Sequence, residues 1–342
     1  MLTRTVEPLA RWTTLRLGGP AQAFVEADSR DELYAAVAAA DNDGTPVLVL
    51  GGGSNLLVAD AGFAGTVVRV ANRGDVMAGS QCSGGEVTVE AGQDWDGLVA
   101  RAVDEEWIGV EALSGIPGTI GAVPIQNVGA YGQEVSDTIA QVHVYDRLQR
   151  RTRTIFAFDC AFGYRTSLFK REPGRYVVGA VTFQFRLGNL GAPIRYAELA
   201  RALGIGLGER APSAVVRDAV LRLRASKGMV LDDADRDTWS AGSFFTNPFV
   251  TADALPDGAP SYPQRDGTVK TSAAWLIERA GFGKGYGNER ASLSTKHTLA
   301  LTNRGDATTD DLVCLAREIR DGVLDRFGIS LRPEPVCVGC SI

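Results

Sequence analysis

The chain has 342 residues, with 35 Lys and Arg against 41 Asp and Glu, a formal net charge of −6, 45% hydrophobic and 22% charged side chains. That length allows two or three compact units, and the acidic balance argues against a nucleic-acid partner, which normally demands a basic face. No run approaches the ~18 apolar residues of a membrane helix, and the start MLTRTVEPLARW has no apolar stretch behind its charges, so a cytoplasmic protein off the membrane is expected.

In chain order, Thr14 to Ala27 reads as strand, Gly18-Gly19-Pro20 turn, strand. Ser29 with Glu32 three residues on predicts a capping box and a helix with Leu33, Ala36, Val37 and Ala40 on its apolar face, ending before Gly44. Pro46 to Leu50 reads as a short buried strand, followed directly by Gly51-Gly52-Gly53-Ser54-Asn55. A dinucleotide fingerprint fails here, because Leu56 stands where a third glycine or alanine is required and Asp60, Gly62 and Gly65 break any following helix. A nest of consecutive amides that binds a diphosphate needs neither feature, and a plain tight turn is the alternative.

Thr66 to Val70 and Glu86 to Ala91 alternate as strands, and Asp96 to Glu106 has helical spacing. Glu111 to Glu134 then has glycine or proline at 115, 117, 118, 121, 124, 129 and 132, a density that no helix or strand tolerates. Bare backbone of this kind can lie against something flat or anionic. Glycine is abundant overall, 40 of 342 or about 12% against the usual ~7%, which also suggests backbone laid close to a ligand.

Ile139 to Asp146 and Arg150 to Phe156 read as a hairpin, Tyr176 to Leu187 as a long strand, and Ala211 to Ser226 as a helix with Val215, Val216, Ala219, Val220 and Leu223 on its apolar side. After Lys227-Gly228 an acidic run and a turn-rich stretch mark the best domain boundary. Beyond it come a helix around Thr271 to Ala280, a strand around His297 to Asn303, a helix from Thr308 to Phe327 capped by Thr308 with Asp311, and a strand-like tail from Ser330 to Gly339.

Three side chains could carry chemistry. Arg165 lies in the aromatic turn Phe162-Gly163-Tyr164-Arg165, where it could stack on Tyr164 or aim a donor fork at a carboxylate or phosphate. Ser243, in Ser240-Ala241-Gly242-Ser243-Phe244-Phe245, could cap a turn or donate a proton away from water; no nucleophile elbow surrounds it. Glu334 is pinned between Pro333 and Pro335, as a strand-edge device or a fixed acid. Five cysteines, Cys82, Cys160, Cys314, Cys337 and Cys340, fit reduced thiols, and the Cys337-x-x-Cys340 pair has no second pair or histidine cluster to make a metal site, so none is expected.

Taken together, GGGSNLLV, SGIPGTIGAVPIQNVGAYGQE, FGYRTSLFK, AGSFFTNP, YPQRDGTVKTSAAWLIE and RPEPV resemble, in order and context, the UDP-N-acetylenolpyruvoylglucosamine reductases, flavoenzymes of bacterial wall synthesis. The resemblance covers nearly the whole chain. It implies an α+β fold with a two-part FAD-binding module of the vanillyl-alcohol-oxidase type and a C-terminal α/β substrate-binding domain, divided as 1–70, 71–228 and 229–330, with 331–342 a strand returning to the FAD-binding half. Tyr196 and the Tyr262 to Lys270 segment resemble the type I form. One departure is Arg332, where some relatives carry an acid.

By the same resemblance, Gly52, Gly53, Ser54 and Asn55 face the diphosphate of a non-covalent FAD, since no His or Cys stands in Gly51 to Val58. Ser114, Gly115, Pro117, Gly118, Gly121, Gln126, Asn127, Gly129 and Ala130 line the flavin, with Arg224 near its ring. Arg165, Ser243 and Glu334 match catalytic positions. Tyr196, Lys227, Asn247, Tyr262, Lys270 and His297 match positions that contact UDP-N-acetylglucosamine enolpyruvate or the co-substrate NADPH. A monomer is expected. The competing readings are another FAD-dependent oxidoreductase of the same fold and a catalytically idle nucleotide-sugar sensor.

Overall fold

The computed structural model describes residues 5–78 and 84–342, so Cys82 lies outside the described residues. The chain divides into two compact units. The first comprises 5–7, Ala21–Gly52 and Ala64–Ala225; the second comprises Pro8–Pro20, Gly53–Phe63 and Ser226–Ile342.

In the first unit, the strands Ala21–Ala27, Phe63–Val70 and Val47–Leu50 form a three-stranded sheet with Phe63–Val70 in the middle. Helix α1, Arg30–Asn42, packs against it and buries Leu33, Tyr34, Ala36, Val37 and Ala40, the face its spacing predicts. Ser29 caps Glu32 N–H, but the Glu32 carboxylate accepts from Asp28 N–H, one residue outside a reciprocal capping box. Val47 to Val49 are only half-buried, so the strand expected to be buried is buried only at Leu50.

A larger antiparallel sheet runs Arg151–Phe156, Ile139–Asp146, Tyr176–Leu187, Gly85–Glu90, Asp75–Ala78, with Trp107–Ile108 paired to the end of Tyr176–Leu187. Phe183 and Phe185 stack with centroids 5.7 Å apart, and Trp95 and Trp107 pack on them, making this the centre of the largest core. Each fully buried aromatic contributes roughly 1.5–3 kcal/mol. Helix α2, Trp95–Asp104, is capped by Asp94 through Gly97 N–H. Short α3, Leu168–Arg171, and α4, Ala197–Leu203, precede α5, Ser213–Ser226. α5 buries Val216, Ala219, Val220 and Arg224, whereas Val215 is 47% exposed and does not join the apolar side expected for it.

The second unit is built on α6, Ala273–Arg279, and α7, Thr309–Phe327, over a core of Phe244, Phe245, Leu276, Ile277, Leu312, Ala316 and Ile319. The capping box at Thr308 and Asp311 forms as predicted, and Gly328 closes α7 in the left-handed region at φ 68°. Val336–Val338 pairs in parallel with Leu56–Val58, while Ala291–Leu293 pairs with Leu301–Asn303, shorter than the strand expected from His297. The strand expected from Thr14 is absent: Leu9–Trp12 is a 3-10 turn, and Arg16 (φ 54°) and Gly18 (φ 126°) take the chain out of extended geometry. Cys337 and Cys340 are free thiols, the first pushed up to about 11 by burial. Among the described residues no helix is long and apolar enough to cross a membrane, and no group of three or more His, Cys, Asp or Glu is gathered for a metal ion.

Candidate functional site

The glycine-rich stretch 111–134 contains only two 3-10 turns, Glu111–Leu113 and Ile120–Ala122, and a hairpin of two-residue strands in which Gly129 faces Glu134 and Ala130 faces Gln133. It is held along one side by the entry to α2. Trp95 N–H donates to Gly118 O at 3.1 Å, Ile120 N–H to Gln93 O at 2.9 Å, and Gly121 N–H to Ala91 O at 2.8 Å. Gly115 N–H donates to Asp96 Oδ1 at 2.6 Å. A Cβ on Gly121 would lie 2.7 Å from that of Ala91, so the bareness of Gly121 serves packing inside the protein. Likewise the buried Ser114 hydroxyl donates to Glu111 O at 2.7 Å.

The other predicted loop meets this stretch within the first unit. A Cβ on Gly52 would lie 2.8 Å from Gly118 Cα, and one on Gly51 would lie 2.7 Å from Thr119 Oγ1. Thr119 Oγ1 is buried and has no hydrogen-bond partner among the described residues. Bare backbone beside a hydroxyl that has no partner among the described residues fits a diphosphate, whose oxygens accept from amides and hydroxyls. Sequence reasoning missed Thr119; its position between Gly118 and Gly121 was the available signal.

Asn127 is fully buried at φ 49°, and its side chain donates to Glu134 Oε2 (2.8 Å) and Gly163 O (3.2 Å) while accepting from Ser136 N–H (3.1 Å). It therefore joins the glycine-rich stretch to the turn that carries Arg165. Arg165, itself at φ 51°, donates from Nη2 to Gly129 O at 2.7 Å and lies 5.6 Å from the centre of the Tyr164 ring. Tyr131 is a third non-glycine residue in the left-handed region, at φ 49°. Such residues each cost on the order of 1–2 kcal/mol and persist where packing dictates them, often at working sites.

Tyr196, at the entry to α4, meets Tyr131 edge-on at 5.6 Å, and Tyr131 is pushed up to about 12 by burial despite Arg224. Arg224 is buried on α5, and burial lowers its pKa against the opposing pull of Tyr131 and Asp96. Pro117 and Gln126 are half-buried in the glycine-rich stretch.

In the second unit, Gly53 (φ 62°) approaches Trp12 O so closely that a Cβ would lie 1.7 Å away. Ser54 follows it, half-buried. Asn55 Nδ2 donates to Glu334 O at 3.4 Å, and Val336 N–H donates back to Asn55 O at 2.9 Å. Glu334 N–H donates to Phe244 O at 2.8 Å, and Thr246 N–H donates to Arg332 O at 3.0 Å. The Ser243 loop and the Glu334 segment thus lie side by side, although about ninety positions separate them in sequence. Phe244 N–H reaches Leu299 O at 2.7 Å, beyond half-buried His297.

Tyr262 and Lys270 face one another in a small sheet, with Lys270 Nζ 5.9 Å from the Tyr262 ring centre. Phe249 pairs with Lys270 from the other side, and Asn247 Oδ1 accepts from Ala273 N–H at 2.9 Å, fixing the start of α6. Lys227 is half-buried just past α5. Two groups therefore form in this unit, Asn55 with Ser243 and Glu334, and Asn247 with Tyr262 and Lys270.

Residues 21–149 match the FAD binding domain family, which includes both glycine loops, so the first unit is that of a flavin-dependent oxidoreductase. Residues 233–338 match the UDP-N-acetylenolpyruvoylglucosamine reductase C-terminal domain, which includes Ser243, Asn247, Tyr262, Lys270, His297 and Glu334. The chain is 58% identical to the UDP-N-acetylenolpyruvoylglucosamine reductase of Cutibacterium acnes over 98% of its own length and 90% of that protein. It is also 58% identical to that of Thermobifida fusca over 98% of both chains. The chain belongs to the UDP-N-acetylenolpyruvoylglucosamine reductase family. A crystal structure of the Thermus caldophilus reductase shares the fold, with a TM-score of 0.69 at 24% identity over 99% of this chain and 100% of that one.

Proposed function

We propose that this chain reduces UDP-N-acetylglucosamine enolpyruvate to UDP-N-acetylmuramate with NADPH in peptidoglycan precursor synthesis, working as a cytoplasmic monomer. The observation that supports the residue roles best is the backbone pairing that sets Ser243 beside Glu334, next to Asn55, in a chain with full-length relatives in one reductase family. FAD, when bound, supplies the chemistry of accepting a hydride from NADPH and releasing it to the terminal vinyl carbon of the substrate.

The chain's own residues do the rest. Gly52, Gly53, Ser54 and Asn55 hold the diphosphate by amides and a hydroxyl without a lysine, and the Thr119 hydroxyl beside Gly51 adds a further donor. The 111–134 stretch beds the flavin, and residues 229–330 take the nucleotide sugar through Asn247, Tyr262, Lys270 and His297, with Tyr196 and Lys227 assisting. Hydride addition drives negative charge onto the substrate carboxylate as an enediolate. Arg165 and Glu334 stabilise that charge, the arginine through a guanidinium already oriented by Gly129 O. Ser243 protonates the adjoining carbon, a task for a weak acid because the enediolate is strongly basic.

The test is to follow the two half-reactions of Ser243→Ala by flavin absorbance. Bleaching by NADPH should remain near wild type, while recolouring by the enolpyruvyl sugar should slow by about 10²- to 10⁴-fold. Equal loss of both half-reactions would remove Ser243 from proton transfer.

A further inference from the structure

Asp96 has no part in the reading above, yet three elements of the first unit meet at its carboxylate. From the glycine-rich stretch, Gly115 N–H donates to Oδ1 at 2.6 Å. From α5, Arg217 makes a two-pronged pair, Nη1 to Oδ1 at 2.6 Å and Nη2 to Oδ2 at 2.8 Å. Arg224, two turns further along α5 on the same side, feels the Asp96 charge as well. Asp96 itself lies in the first turn of α2, whose entry also holds Gly118 through Trp95 N–H.

The environment keeps this carboxylate ionised. Burial pushes its pKa up, but the Arg217 and Gly115 hydrogen bonds outweigh burial and hold it below the ordinary carboxylate range. The Arg217 and Asp96 side chains are only 17% and 31% exposed, so the pair is partly withdrawn from solvent. The geometry is a two-pronged arginine–carboxylate pair, among the stronger and more directional polar contacts.

We propose that Asp96 is a positioning residue for the flavin: it fixes the Gly115 peptide of the flavin bed against α2 and offsets the positive charge of Arg217 and Arg224. This rests on the reading of 111–134 as that bed. The two functions separate chemically. Asp96→Ala removes the acceptor for Gly115 N–H, the pair with Arg217 and the charge, whereas Asp96→Asn keeps an acceptor oxygen for Gly115 N–H and Arg217 Nη1 but removes the charge and the second prong to Arg217 Nη2.

The experiment titrates wild-type, Asp96→Ala and Asp96→Asn apoproteins with FAD, and measures the flavin reduction potential of each holoprotein. Asp96→Ala should bind FAD at least tenfold more weakly. Asp96→Asn should favour reduced over oxidised flavin about tenfold more than wild type, an upward shift of about 30 mV for a two-electron couple, because the reduced flavin carries more negative charge. Wild-type FAD affinity in a folded Asp96→Ala protein, or an unchanged potential in Asp96→Asn, overturns the proposal. If Asp96→Ala does not fold, the isosteric Asp96→Asn decides through its potential. Failure of the wild-type apoprotein to bind FAD would instead sink the parent reading.

Discussion

Gly52→Ala probes the approach of the two glycine loops with one methyl group. Gly52 does not sit in the left-handed region, so alanine brings no backbone strain there. The cost is steric: the new Cβ would lie 2.8 Å from Gly118 Cα and 3.3 Å from Gly118 C, and backbone atoms of a loop fixed by Trp95 and Ile120 have little room to yield. Overpacking of this kind costs about 1–3 kcal/mol, which corresponds to a roughly five- to 150-fold rise in the Kd for FAD if the loops must close on the diphosphate. Fluorescence titration of the apoprotein with FAD measures it directly. Gly283→Ala is the control, since a Cβ there meets nothing within 4 Å and its φ is unrestricted. Wild-type affinity in Gly52→Ala would refute the inference that the Gly52–Gly118 contact takes part in holding the cofactor.

Asp146, whose side chain is fully buried and ion-paired to Arg175 and Arg153, is held down to about 2 against an ordinary 3.8, chiefly by the Arg175 hydrogen bond. A carboxylate with a depressed folded pKa stabilises the protein above the unfolded value and loses that contribution as pH falls toward the folded one. The stability gap between wild type and Asp146→Asn, read by urea unfolding, should therefore be full at pH 6 and shrink between about pH 4 and pH 2; a gap independent of pH contradicts the assignment. Thr308→Ala removes the N-cap hydroxyl of α7, which accepts from Asp311 N–H and donates to Asp311 Oδ2, while the backbone N–H at 308 keeps its bond to that carboxylate. Its unfolding free energy should fall by about 1 kcal/mol, and an unchanged midpoint would mean that Asp311 alone satisfies the helix end.

Much of the fold was legible where its signals are local. The strand Tyr176–Leu187 has the bounds expected from its apolar run, and α7 starts where Thr308 and Asp311 announce it. Segments that depend on distant partners were harder. Tyr262–Pro263 and Val269–Lys270 are two-residue strands with too few side chains to set a period, and Val269–Lys270 pairs with Tyr262–Pro263 on one side and Phe249–Val250 on the other. The Thr14 segment shows the opposite failure, an apolar alternation overruled by left-handed Arg16 and Gly18.

The candidate site divides in the same way. Glycine density located the two loops, and motif order pointed to Arg165, Ser243 and Glu334. The neighbourhood of Ser243 and Glu334 rests on hydrogen bonds between segments far apart in sequence, which no local pattern encodes. Asp96 was hidden because an acid in the first turn of a helix is ordinary for the helix dipole. Its contacts with Gly115 and Arg217 emerge only when α2 and α5 are brought together by the fold.

The most direct test of the proposed reaction is a stopped-flow absorbance record of the FAD-loaded wild-type protein, given NADPH and then UDP-N-acetylglucosamine enolpyruvate. The yellow flavin should bleach with NADPH and recolour with the enolpyruvyl sugar at a rate that depends on sugar concentration. Bleaching with no recolouring under anaerobic conditions would contradict the reductase reading.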